Sequence, residues 1–162
     1  MWLVPSVVTC TRWGAAMASS PLAPCVPRLF DLEHNIAVVN IASEITRRHP
    51  EGLWITEREL RAGRITLLTR NREYLHRPDG VFQCGEGRGV AFELDRTPKS
   101  SARYERLLSD YLDTFARGDQ LTGVVWVVES RTLATRIQAV ISEQRAADVA
   151  SVVLWSDGRF VW

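Results

Sequence analysis

Four ionisable residues in the middle of this sequence have the types and the spacing of a metal-assisted site that acts on a phosphate. Glu93 and Asp95 stand two apart in an apolar stretch, and because side chains alternate along a strand, both carboxylates face the same way. Asp79 comes at the start of the preceding predicted strand, and a hairpin would bring its carboxylate near the other two. Carboxylate oxygens of this kind are the ligands that Mg²⁺ prefers. Lys99, the one lysine of the chain, would then stabilise negative charge on a phosphate.

A plainer interpretation of the same residues stays open. A strand with one face in water would carry Glu93 and Asp95 as ordinary solvated side chains. Asp79 would then belong to nothing more than a turn. His76, three residues before Asp79, is either a general base of the site or a structural histidine at the start of a strand. The glycines between the two predicted strands open no helix, so they are not a dinucleotide fingerprint.

Four motifs follow one another between residues 76 and 112. They are Pro-Asp-Gly at 78–80, an acidic strand ending at 90–95, Arg-Thr-Pro-Lys-Ser at 96–100, and a helix that carries Tyr104 and Tyr111. In these motifs the chain resembles the replication-relaxation family of bacterial plasmids and integrative elements. The resemblance implies a DNA-processing protein of a mobile genetic element. Members of that family often carry an N-terminal winged-helix domain, and from the length of this sequence we do not expect one here. We therefore also consider an adaptor that acts through a relaxase or a replication protein.

The same residues resemble, more distantly, the PD-(D/E)xK nuclease superfamily, whose fold is restriction-endonuclease-like. Asp79 corresponds to the first acid of that pattern and Glu93 to the second. Asp95 stands where the pattern has a lysine, so Lys99 would have to reach back from the start of the next helix. Glu44 matches an accessory acid that those nucleases often carry, and is otherwise an exposed helix glutamate. The resemblance implies Mg²⁺-dependent DNA cleavage, and the displaced lysine leaves open a catalytically inactive DNA-binding module.

Arginines give the sequence a second feature that suits DNA. Between residues 45 and 77 eight arginines stand against four glutamates, although the whole chain, with 20 basic and 19 acidic residues, has a formal net charge of only +1. Arginines beside the acidic site would hold phosphates of a DNA backbone, and a solvated Arg-rich surface is the alternative. The predicted phosphate contacts are Arg72, Arg77, Arg96 and Arg103.

The hydrophobic pattern predicts an α/β fold with a mixed central sheet flanked by helices, and the resemblance adds a restriction-endonuclease-like core of order α-β-β-β-α-β. Apolar positions three and four apart predict helices, and short apolar or alternating runs predict strands. Strand, helix and strand after residue 124 imply a right-handed parallel crossover. The predicted elements are a helix at 31–49, a strand or short helix at 53–55, a capping box at 56–59, strands at 80–83 and 89–95, a helix at 101–117, a strand at 124–128, a helix capped by Thr132, and strands at 152–155 and 160–162 around an Asp157-Gly158 hairpin turn.

Length and composition fit one globular domain. The 162 residues are 46% hydrophobic and 24% charged, which excludes a disordered or coiled-coil chain. The first 28 residues carry four prolines and no periodicity, so we expect a disordered leader or a mis-started N-terminus at 1–28 and a single nuclease-like domain at 29–162. Three cysteines without metal-ligand spacing suit a reducing cytoplasm. No apolar run is long enough to cross a membrane, so we expect no membrane partner.

Overall fold

The computed structural model describes residues 12–17, 22, 28–64, 76–85, 87–116 and 121–161. Its strands are β1 (Leu53–Thr56), β2 (Gly80–Gln83), β3 (Gly89–Asp95), β4 (Leu121–Val128), β5 (Ala150–Ser156) and β6 (Arg159–Val161). Its helices are α1 (Arg12–Met17), α2 (Leu32–Arg48), α3 (Glu57–Arg61), α4 (Ser101–Phe115) and α5 (Arg131–Glu143), with a 3-10 helix, Leu29–Asp31, before α2.

All of these strands belong to one mixed sheet, in the order β1-β2-β3-β4-β5-β6. The first three form an antiparallel meander, β4 and β5 continue it in parallel, and β6 returns antiparallel to β5. The parallel neighbours are joined through α4 and α5, because a parallel connection needs a crossover element. The predicted mixed sheet flanked by helices is confirmed.

Alternating side chains give the sheet two apolar faces. On one face α4 and α5 cover the strands, and Tyr111, Trp126 and Ile137 are fully buried in the larger of two core clusters. On the other face the buried helical residues of the smaller cluster all come from α2, as Ile41 does. Leu94 of β3 belongs to this second cluster. The strand β3 is therefore covered on both sides.

The observed element boundaries confirm the predicted capping box, show that residues 53–55 form a strand, and correct the predicted start of α5. The ambiguous stretch at 53–55 is a strand, since it pairs with β2 along its whole length. The capping box is confirmed: the Thr56 side chain accepts from the Glu59 amide, and the Glu59 carboxylate accepts from the Thr56 amide. Thr132 as a helix cap is wrong, because the Ser130 carbonyl already accepts the first helical hydrogen bond and α5 begins at Arg131.

The predicted hairpin turn at the end of the chain is confirmed. Asp157 and Gly158 have φ values of 51° and 76°, and two positive values in succession are the signature of the tight turn that suits a twisted hairpin. The Arg-rich stretch at 65–75, with Arg72, lies outside the described residues, as does most of the predicted leader at 1–28. Within that leader the structure describes α1, a helix of six residues.

Removing the Ile137 side chain should destabilise the fold strongly. Ile137 is fully buried in α5, so Ile137→Ala loses apolar contacts and leaves a cavity. We expect the free energy of unfolding to fall by about 2–5 kcal/mol in urea denaturation. Val161→Ala, at a residue that is 42% exposed in β6, is the control and should cost less than about 1 kcal/mol. Equal losses for the two variants would contradict this packing.

Candidate functional site

The strand β3 carries two acidic side chains into the interior. Glu93 and Asp95 are only 4% and 3% exposed. Both contact residues of the α4 side of the sheet, whereas Leu94 between them packs on the α2 side. The alternation of side chains therefore places the two carboxylates on one face, as the spacing predicts. The alternative of a solvated strand face is wrong.

Glu93 is held between a tyrosine and a histidine. The Tyr111 hydroxyl donates a hydrogen bond to Glu93 Oε1, and His76 Nε2 lies 3.5 Å from Glu93 Oε2. Burial raises the pKa of Glu93, because the buried carboxylate loses hydration, while both partners favour its charged form. Interaction with Glu93 raises the pKa of His76, and burial raises the pKa of Tyr111 well above its ordinary value. The site thus favours the protonated state of each of these groups.

Asp95 is paired with the lysine that follows it by four residues. Lys99 Nζ donates to Asp95 Oδ1, while no donor among the described residues reaches the buried Oδ2 atom. The backbone on both sides of the lysine side chain is fixed as well. Its amide donates to the Tyr104 hydroxyl over 3.2 Å, and the Arg136 guanidinium donates to its carbonyl over 3.2 Å. Lys99 therefore neutralises Asp95 from a well-defined position.

Asp79 connects three elements. Its Oδ2 atom accepts from the Leu94 amide of β3 at 2.7 Å, and its Oδ1 atom lies 2.9 Å from His34 Nε2 of α2. The hydrogen bond to Asp79 raises the pKa of His34. Sequence reasoning missed His34, which stands 45 residues before its partner. No local spacing could have found this pair, because only the packing of α2 on the sheet brings the two residues together.

The carboxylates as arranged do not fit a magnesium centre. Both oxygens of Asp79 accept from protein donors, Glu93 faces Tyr111 and His76, and Asp95 is paired with Lys99. Among the residues that the structure describes, no group of three or more His, Cys, Asp or Glu side chains could hold a metal ion. Binding of Mg²⁺ at Asp79, Glu93 and Asp95 stays a prediction.

Cationic side chains lie near His76 and Lys99, where the site reaches solvent, and we call this group the cationic rim. The charges of Lys99 and Arg103 both act on His76 and oppose its protonation. Arg136 hydrogen bonds to the Lys99 backbone, and its part in the site was missed because it stands on α5, 37 residues away. The rim residues are exposed or half-buried, and they are His76, Lys99, Arg103 and Arg136. The predicted phosphate contact Arg77 is exposed and directly follows His76 in the sequence.

Two predicted site residues have other partners. Arg96 donates to Glu33 and Glu129, each at 3.2 Å, so its guanidinium is occupied by two carboxylates. Glu44 accepts from Arg47 and Arg48, and these hydrogen bonds lower the pKa of Glu44 to about 2. Glu44 lies on α2, across the sheet from the buried acids of β3, so the structure does not bring it to the site.

Comparisons with known proteins add no further information. No protein-family model, no curated protein and no solved structure matches this chain. Within the described ranges, none of the helices is both long and apolar enough to cross a membrane.

Asp79→Asn should separate the two contacts of Asp79. The variant keeps an oxygen for the Leu94 amide and removes the charge beside His34. Because the folded-state pKa of His34 is raised above 6.5, the pair stabilises the fold fully below about pH 6.5, and this contribution is lost as the pH rises through the folded-state pKa. We expect an NMR titration to show a lower His34 pKa in the variant, and urea denaturation to show a flatter pH dependence between about pH 6 and 8.

The control for this titration is Asp148→Asn, at an exposed residue, which should change neither measurement. An unchanged His34 pKa in Asp79→Asn would contradict the pairing.

Glu93→Gln should show that the buried charge is not what holds the site together. Glutamine keeps an oxygen that accepts from the Tyr111 hydroxyl. Because burial raises the pKa of Glu93, stability is lost as the pH rises through that pKa, and the variant lacks this loss. At pH 8 we expect its Tm by calorimetry to equal or exceed that of the parent. Glu93→Ala leaves a cavity and should lower Tm by about 2–4 °C or more. A Glu93→Gln variant as unstable as Glu93→Ala would show that the charge is required.

Proposed function

We propose that this chain is a replication-relaxation-like DNA-processing protein of a mobile genetic element, and that it acts in the cytoplasm as a DNA-binding module on a restriction-endonuclease-like core. Apart from the short helix α3 between β1 and β2, the order of α2, β1, β2, β3, α4 and β4, with a meander followed by a parallel strand, supports that core. Asp79 directly before β2 and Glu93 within β3 support the nuclease-like pattern.

The observation that carries DNA binding is the separation of charge between the inside and the outside of the site. The buried carboxylates of Glu93 and Asp95 have partners within the chain, so little negative charge faces outward. The histidine and the lysine of the cationic rim are paired with these two acids, so the positive charge that the rim presents to solvent comes from its exposed arginines, Arg103 and Arg136. An exposed cluster of cations over neutralised acids attracts the phosphates of a nucleic-acid backbone.

The ion pair between Lys99 and Asp95 supports binding without cleavage. A lysine that contacts a scissile phosphate must be free to approach it, and Lys99 Nζ instead binds the buried Asp95. The lack of fit to a magnesium centre agrees with this. A partner protein such as a relaxase or a replication protein would then supply the catalytic step, and this chain would position the DNA.

Mg²⁺-dependent phosphodiester cleavage at Asp79, Glu93, Asp95 and Lys99 is the second candidate function. One observation favours it. Asp79 bonds to the Leu94 amide, next to Glu93, and its charge helps to raise the pKa of Glu93. The first two acids of the nuclease-like pattern are therefore neighbours.

Loss of a rim arginine should weaken DNA binding and reduce its salt dependence. We expect the dissociation constant of Arg103→Gln for a labelled duplex, measured by fluorescence anisotropy, to rise, and the slope of log K against log salt to fall by about one. Arg159→Gln, on the edge strand β6, is the matched control and should leave both unchanged. Equal effects of the two substitutions would mean that any surface arginine serves, and no binding at all by the parent would overturn the proposal in favour of an adaptor that contacts protein alone.

The same preparations decide between binding and cleavage. Supercoiled plasmid and single-stranded DNA are incubated with the parent and Asp79→Ala in Mg²⁺ or Mn²⁺. We expect retention of DNA without nicking. Nicking by the parent and not by Asp79→Ala would establish the second candidate function instead.

A further inference from the structure

Among the described residues, the face of the sheet that α2 covers leaves a groove open beside that helix. The opposite face is covered by both α4 and α5, whereas the helical residues of the smaller core cluster come from α2 alone. Beside α2, towards the edge strand β1, lies a groove of about 490 Å³ whose apolar lining includes Val38, Val39, Ala42 and Trp54. Val39 is 61% exposed. An apolar sheet face is normally buried by a further layer of structure, so this groove has the place and the chemistry for a second helix.

Exposed apolar side chains are concentrated near this groove in the sequence. Among the described residues, most of the large hydrophobic side chains that are exposed belong to the stretch from α1 to β1. They are Trp13, Met17, Phe30, Ile36, Val39 and Leu53, and Val161 is the one further member.

The helix α1 needs an apolar partner. It has six residues, and helices that short are not stable in water without tertiary packing. Trp13 and Met17 stand four apart, so they share one face of α1, and they are 81% and 86% exposed. Two large apolar side chains on one face of a short helix fit an apolar groove better than they fit water.

The chain between α1 and α2 is long enough to allow docking. Fourteen residues, 18–31, separate the two helices, and the last three of them form the 3-10 helix. The other eleven residues, if fully extended, would span roughly 36 Å. The helix α2, with 17 residues, is about 25 Å long. The connection can therefore deliver α1 to any point along α2.

We propose that α1 docks in the groove between α2 and β1, with Trp13 and Met17 against Val39, Ala42 and Trp54. The docked helix is the second helix on the α2 face, in a state of the chain other than the one in which Trp13 is exposed. This proposal does not depend on the proposed function, because the cationic rim lies at the opposite face of the sheet.

Disulfide trapping tests the docking in the full chain. In a background with Cys10, Cys25 and Cys84 replaced by serine, Met17→Cys is combined with Ala42→Cys. The control pair combines Met17→Cys with Gln138→Cys, at an exposed residue of α5 on the other face. Under mild oxidation we expect the first pair to form an intramolecular disulfide at least about tenfold faster than the control, as resolved by non-reducing electrophoresis, a ratio that corresponds to about 1.4 kcal/mol of preference for the docked state.

Two results would overturn the proposal. Equal rates for the two pairs would mean that α1 does not dock in the groove. Disulfide-linked dimers of the first pair, formed in preference to the monomeric product, would mean that a second copy of the chain fills the groove.

A substitution series guards against misfolding of the cysteine variants. Trp13→Ser should lower the urea midpoint of the parent, and so should Val39→Ser, because each removes one side of the docked contact. The double variant should then lose less than the sum of the two losses, since contacting residues are not additive. A Trp13→Ser midpoint equal to that of the parent, or full additivity, would overturn the docking.

Discussion

Burying the carboxylates of Glu93 and Asp95 costs free energy, and hydrogen bonds and counter-charges from nearby residues offset part of it. The strand β3 is covered on both faces, so water cannot solvate either carboxylate. The partners come from the segment that follows the strand: Lys99 from the loop and Tyr111 from α4. The position of α4 on the sheet is therefore tied to the two acids. Loss of Lys99 would leave Asp95 without its counter-charge, and loss of Tyr111 would leave Glu93 with His76 as its partner.

The same constraint arranges the surface of the site. Because Glu93 and Asp95 have partners inside the protein, the electrostatic potential at the surface of the site is set by the exposed residues around it. These exposed residues are basic. His76 bridges the two layers, since it pairs with Glu93 on its inner side and is repelled by Lys99 and Arg103 on its outer side. Asp79 connects the site to the other face of the sheet, because its carboxylate contacts His34 of α2. A chain with a net charge near zero can in this way present a strongly polar site.

The sequence allowed the local elements to be predicted better than the partners. Periodicity predicted the strands around Glu93 and the helix with Tyr104 and Tyr111, because burial of one face leaves a pattern in consecutive residues. Ser130 rather than Thr132 is the N-cap residue before α5, since both residue types suit a cap and only the backbone hydrogen bonds decide.

Contacts between distant elements could not be predicted. His34 and Asp79, or Arg136 and the Lys99 backbone, meet only through the packing of helices on the sheet. The lysine four residues after Asp95 was predicted to reach back toward the acids, and it does. From the sequence alone, a lysine that pairs with Asp95 could not be distinguished from one that binds a phosphate, because the same amine in the same position could do either.

Two buried polar atoms affect which substitutions the interior can accept. The Asp95 Oδ2 atom and the Trp126 indole nitrogen are both buried, and neither has a hydrogen-bond partner among the described residues. A buried polar atom without a partner is destabilising, so an apolar ring in place of the Trp126 indole would remove one such atom from the core. Asp95 is different, because its other oxygen is paired with Lys99. A substitution at Trp126 would relieve an unpaired donor, whereas an apolar substitution at Asp95 would also break an ion pair.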